Sequence, residues 1–98
     1  MTREVSLFVN DSPVALDYFV QSFIDHSLGG MLAALEVTGE IRTLDVTIEG
    51  DKVAINLNSA LVPTNPFVNK IMKSTIVGML SSLRGVDEIN KVKIDIKR

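Results

Sequence analysis

At 98 residues with 46% apolar side chains, the chain has material for one hydrophobic core and not for two, so a single domain over 1–98 is expected. It has no cysteine and one histidine, which excludes a disulfide scaffold and a thiolate metal site and argues against a zinc centre. The net charge of −2 lacks the basic excess of a dedicated nucleic-acid domain, and no apolar run of about 18 residues offers a membrane span.

Met1-Thr2-Arg3-Glu4 runs into a strand-like segment with no apolar signal region before it, and a cytoplasmic location is expected. Val5, Leu7 and Val9 alternate with Ser6, Phe8 and Asn10, the period of a half-buried strand. The turn formers Asn10-Asp11-Ser12-Pro13 break that strand, and a runner-up reading has a short extra strand over Val14–Leu16 and another over Leu61–Val62. Asp17 and Asn65-Pro66 are helix-start signals, predicting helices of roughly 19 residues, Tyr18 to Glu36 and Pro66 to Arg84, each about 28 Å long. Gly85 ends the second helix, whereas the first has Val37 at that place and reaches Gly39 two residues later. Leu44, Val46 and Ile48, then Gly50-Asp51, then Val53, Ile55 and Leu57 read as a β-hairpin, and Val92, Ile94 and Ile96 as a final strand.

Residues 3–50 laid over 51–98 agree at twelve of 48 positions, against about three by chance. Phe19/Phe67, Val20/Val68, Gly30/Gly78, Met31/Met79, Leu32/Leu80 and Leu35/Leu83 match within the helices, and Asn10/Asn58 and Glu40/Glu88 match in turns and loops. The pattern is a duplicated 48-residue β-α-β unit. It predicts an α+β, two-layer ferredoxin-like sandwich of order β-α-β-β-α-β, with the first and third strands central and the second and fourth at the edges. Asp45, Glu49, Lys93, Asp95 and Lys97 would then guard the edges. Ser27 and Thr75 are expected in the core with their hydroxyls on the carbonyls of Phe23 and Ile71, and Gly30 and Gly78 at a helix–helix contact.

The halves are opposite in charge. Residues 3–50 carry two basic and eight acidic side chains, a net of −6, and residues 51–98 carry eight and four, a net of +4. Six aligned pairs have opposite signs: Arg3/Asp51, Glu4/Lys52, Asp25/Lys73, Glu36/Arg84, Asp45/Lys93 and Glu49/Lys97. An acidic half meeting the basic half of another copy, with apolar arcs wider than one buried stripe, implies a homodimer. Leu28, Leu32, Ile76, Val77 and Leu80 are the candidate interface.

Asn65-Pro66-Phe67-Val68 with Gly78-Met79-Leu80-Ser81-Ser82-Leu83-Arg84-Gly85-Val86 resembles a group of small prokaryotic proteins, chiefly archaeal, with an N-P-F-V…S-S-L-[KR]-G pattern. The resemblance covers the second half and implies no activity. A fainter likeness joins residues 44–96 to small domains of spore-germination proteins.

His26 is expected on the outer face beside Asp25, a solvated histidine without the positioned partners that a general base needs. No phosphate loop, nucleophile elbow or metal signature is present, and no cofactor or catalytic residue is assigned. The expected function is a non-enzymatic, self-associating interaction module. The alternative is a ligand- or RNA-binding regulator using the open sheet face through Phe8, Asn56, Lys91 and Lys93, although the lone Phe8 lacks the aromatic neighbours that base stacking uses.

Overall fold

The computed structural model describes residues 4–35, 40–83, 86 and 88–98. The helices stop short of the expected ends at Glu36 and Arg84, closing at Ala34 and Leu80; Val37, Gly39, Gly85 and the charge pairs of Arg3, Glu36 and Arg84 lie outside the described residues. The strands are β1 (Glu4–Val9), β2 (Ser12–Val14), β3 (Thr43–Glu49), β4 (Lys52–Leu57), β5 (Ala60–Leu61) and β6 (Lys91–Lys97). The helices are α1 (Tyr18–Ala34) and α2 (Pro66–Leu80). Their caps form as expected: the Asp17 carboxylate accepts from the Val20 amide and the Asn65 side-chain oxygen from the Val68 amide, both at 2.8 Å.

All six strands form one antiparallel sheet in the order β2-β1-β6-β3-β4-β5. Val5, Leu7 and Val9, Leu44, Val46 and Ile48, and Val92, Ile94 and Ile96 are buried on one face. Ile24, Leu28 and Leu32 of α1 and Met72, Ile76 and Leu80 of α2 complete the core from that side. The result is an α+β arrangement of two layers, only 19 Å across its thinnest dimension.

The strand order corrects the expected one. The second and fourth long strands, β3 and β6, are central, while β1 and β4 lie outside them and carry the extra strands β2 and β5. The core-facing residues of β3 and β6 are all nearly inaccessible, whereas Val53 and Leu57 of β4 are only half-buried. Asp45, Lys93, Asp95 and Lys97 therefore sit in the middle of the sheet, on its open face. Charge on a strand marks solvent, and an antiparallel sheet covered on one side meets solvent across its whole other face as well as at its edges. The runner-up reading of extra strands is the observed one, with bounds shifted towards the turns: Ser12–Val14 and Ala60–Leu61.

The two edge turns explain why asparagine recurs. Asn10 and Asp11 have φ of 52° and 67°, and Asn58 and Ser59 have 50° and 68°, the left-handed pairs of two-residue hairpins. The Asn10 side chain accepts from the amides of Asn90 and Lys91 and donates to the Glu88 carbonyl. Asn58 accepts from Arg42 and Thr43 and donates to the Glu40 carbonyl. Each asparagine thus ties an edge hairpin to the loop that enters a central strand, and Glu40 and Glu88 serve through their backbone. Asn10→Ala and Asn58→Ala should each lower stability by about 2 kcal/mol, from lost hydrogen bonds and a left-handed residue with a Cβ. The two losses should add in the double variant, as urea unfolding would show.

Candidate functional site

Buried apolar residues fall on one row of each helix, 24/28/32 in α1 and 72/76/80 in α2. From the neighbouring rows, Phe19, Phe23 and Ser27 of α1 and Thr75 and Met79 of α2 line the space between the helices. α1 packs over β1 and α2 over β4, the strands flanking the central pair, so the helices stand apart. They run antiparallel, because the hairpins that they follow, β1–β2 and β4–β5, run in opposite senses.

The groove between them is apolar. A hollow of about 410 Å³ is lined by Phe19, Val20, Phe23 and Ser27 from α1 and by Thr75, Met79, Ser82 and Leu83 from α2 and the turn after it. None of these residues is charged. Two of its lining residues are unusually bare, Phe19 at 70% exposed and Phe23 at 50%, and Phe67 and Ile71, two turns and one turn before Thr75 on α2, are 71% and 51% exposed. Phe19 and Phe23 rest on each other with ring centroids 6.0 Å apart. Thr75 donates to the Ile71 carbonyl at 2.7 Å as expected, but it is an exposed groove residue rather than a core one.

This placement corrects the expected interface. Leu28, Leu32, Ile76 and Leu80 belong to the core, and Val77 is half-buried on the other flank of α2, beside Asn69 and Lys73. Apolar arcs this wide signal a surplus without saying which edge of the arc faces the sheet. Nor are Gly30 and Gly78 at a helix–helix contact: a Cβ at either would meet nothing of this chain within 4 Å. Asp25 is also not on the surface. It is 2% exposed and takes Nη2 and Nε of Arg98 on Oδ1 at 2.8 and 3.0 Å. His26 is exposed, its Nδ1 2.8 Å from the Ser22 carbonyl.

The open-face candidates do not converge. Phe8 lies opposite Pro13 and Lys93, while Asn56 lies opposite Asp45 and Leu61, with β6 and β3 between their strands. Lys91 pairs with Asp11 at 3.1 Å, and Lys93 is 3.9 Å from Asp95. The lysines are thus mid-sheet members of a mixed-charge surface and not a basic edge. Among the described residues no group of three His, Asp or Glu stands close enough to hold a metal ion, and no helix is long and apolar enough to cross a membrane.

At the sheet centre Asp45 faces Asp95 across the β3–β6 pairing. Partial burial, then the hydrogen bond and the charge of Asp45, push the Asp95 carboxyl above its ordinary value of 3.8, against the pull of Lys93 and Lys97. A carboxyl raised in the folded state favours folding fully below its unfolded value, and this contribution is lost as the pH rises through the folded one. Asp95→Asn should therefore raise the urea midpoint at pH 7 and lose that advantage below about pH 4.

No family model matches the chain, and no solved structure matches it significantly. Over 61 residues it is 39% identical to a protein of Methanocaldococcus jannaschii provisionally named molybdopterin-guanine dinucleotide biosynthesis adapter protein. The match takes in 61% of this chain and 25% of the relative, so the chain is similar to about a quarter of that protein's length. The finding corrects the expected function, a structural module with a ligand- or RNA-binding regulator as its alternative: the protein that this chain is similar to is named for cofactor biosynthesis.

Proposed function

We propose that the chain is an adapter domain in the biosynthesis of a molybdopterin-guanine dinucleotide cofactor, working by holding proteins together rather than by catalysis. The 39% identity over 61 residues to the M. jannaschii protein carries this reading. The chemistry of the surface supports it: among the described residues His26 lies on the helix layer in an open hollow beside Phe19 and Phe23, the Asp45/Asp95 pair lies on the open sheet face, and neither has an enclosing pocket to orient a substrate. Such work would place the chain in the cytoplasm.

We infer further that the domain arose by duplication and fusion of a 48-residue β-α-β unit, keeping a ferredoxin-like element order with an altered strand order. The Asn10 and Asn58 hydrogen-bond sets support this, being the same three bonds displaced by 48 residues. So does the pairing of Val46 with Ile94, repeat mates that face each other at the sheet centre.

Deleting the gene in its source cell should lower the ratio of molybdopterin-guanine dinucleotide to molybdopterin, read by chromatography of their fluorescent oxidation products. The intact gene should restore the ratio. An unchanged ratio would remove the chain from that pathway.

A further inference from the structure

The apolar surface of this fold is concentrated on its helix layer. The open sheet face carries both charge signs, with Glu4 opposite Lys97 and Glu49 between Lys91 and Lys52. The sheet ends in strands of three and two residues, too short to template another sheet. The helix layer has the groove, with Phe19 and Phe23 in its lining, and their repeat mates Phe67 and Ile71 stand exposed at helical spacing before Thr75 and Met79 of α2.

We propose that this face binds a second copy of the chain, in an isologous dimer whose twofold axis runs along the groove. Each helix carries its exposed bulk in its N-terminal half, Phe19 and Phe23 in α1, Phe67 and Ile71 in α2. Each C-terminal half carries a glycine, Gly30 and Gly78, with open space beside it, Gly78 at the margin between the outward face and the flank of Lys73 and Val77. A glycine within a helix costs about 1 kcal/mol relative to alanine, and nothing inside this chain uses the room that either one leaves. Turning a copy over about the groove axis lays its α1 on α2 of the first, and its α2 on α1, with the helix sense of each pair reversed. The N-terminal half of every helix then covers the C-terminal half of the helix below it. Phe19 and Phe23 of one copy descend into the hollow lined by Thr75, Met79 and Leu83 of the other, and Phe67 and Ile71 descend beside Met31. Bulk meets room at both ends, which is the self-complementarity an isologous contact demands.

The area is sufficient. At about 200 Å² for an aromatic side chain, the exposed parts of Phe19, Phe23 and Phe67 leave about 400 Å², and Ile71 brings this to about 500 Å². A stable interface takes about 800 Å² from each partner, little more than half of it apolar. No charged side chain lines the hollow, so closing it strips water from no ion.

Light scattering coupled to gel filtration, from micromolar to submillimolar protein, tests the proposal independently of the cofactor pathway. Twice the chain mass is expected, with Phe23→Glu and Phe67→Glu each weakening association at least tenfold. Leu61→Glu, an equally bare residue on edge strand β5, should leave it unchanged. Methyl NMR of the unaltered protein gives a reading that needs no variant to fold: on dilution the Met31, Met79 and Ile71 signals should move and those of Leu61 stay. A monomer at every concentration, a dimer that survives both phenylalanine changes, or dilution shifts confined to the sheet would overturn the proposal.

Discussion

The pairing of β3 with β6 is the constraint on which the rest of the structure depends. β3 ends the first half of the sequence and β6 the second, and Val46 stands opposite Ile94 at the centre of their ladder. Because β6 lies between β1 and β3, and β3 between β6 and β4, each β-α-β half has a gap that only a strand of the other half fills. Neither half can satisfy its own backbone there, so the two must fold together. The same interleaving decides what becomes of the opposite charges. They meet within one chain: Asp11 pairs with Lys91, Asp25 with Arg98, and Glu4 stands opposite Lys97. The acidic and basic halves are not two faces offered to other molecules. They are threaded through each other, and their attraction is satisfied internally.

Interleaving also makes the groove. With four long strands in one sheet and only two helices to cover it, α1 and α2 settle over the flanking strands β1 and β4. Rows 24/28/32 and 72/76/80 turn onto the sheet, and the adjacent apolar rows are left facing each other across a gap. The exposure of Phe19, Phe23, Phe67 and Ile71 follows from helices that are apolar over more than one row, on a sheet that can bury only one. An apolar surface of this extent calls for another chain to cover it.

What was legible in the sequence was local. Asp17 and Asn65-Pro66 marked helix starts because a cap acts within one turn, and Gly50-Asp51 marked a hairpin because a two-residue turn needs its own backbone geometry. The recurrence of Asn10 at Asn58 was visible, although its partners at Asn90 and Lys91 lie eighty residues away in the chain and only the fold brings them near. Strand order was not legible. Asp45, Lys93 and Asp95 announce solvent, and an open face and an open edge present the same alternation to a reader of the sequence. The site was half legible: the surplus apolar arc was plain, but a helical wheel has no mark for the direction of the sheet. Val77 was expected at the exposed edge, and packing leaves Phe23 exposed instead.

Native-state hydrogen exchange tests the central claim most directly. If the β3–β6 ladder joins the two halves, its amides should exchange last, in both strands together, with an opening free energy equal to that of global unfolding. Slower exchange in β1 and β4 than in β3 and β6, or unequal protection of β3 and β6, would contradict the account.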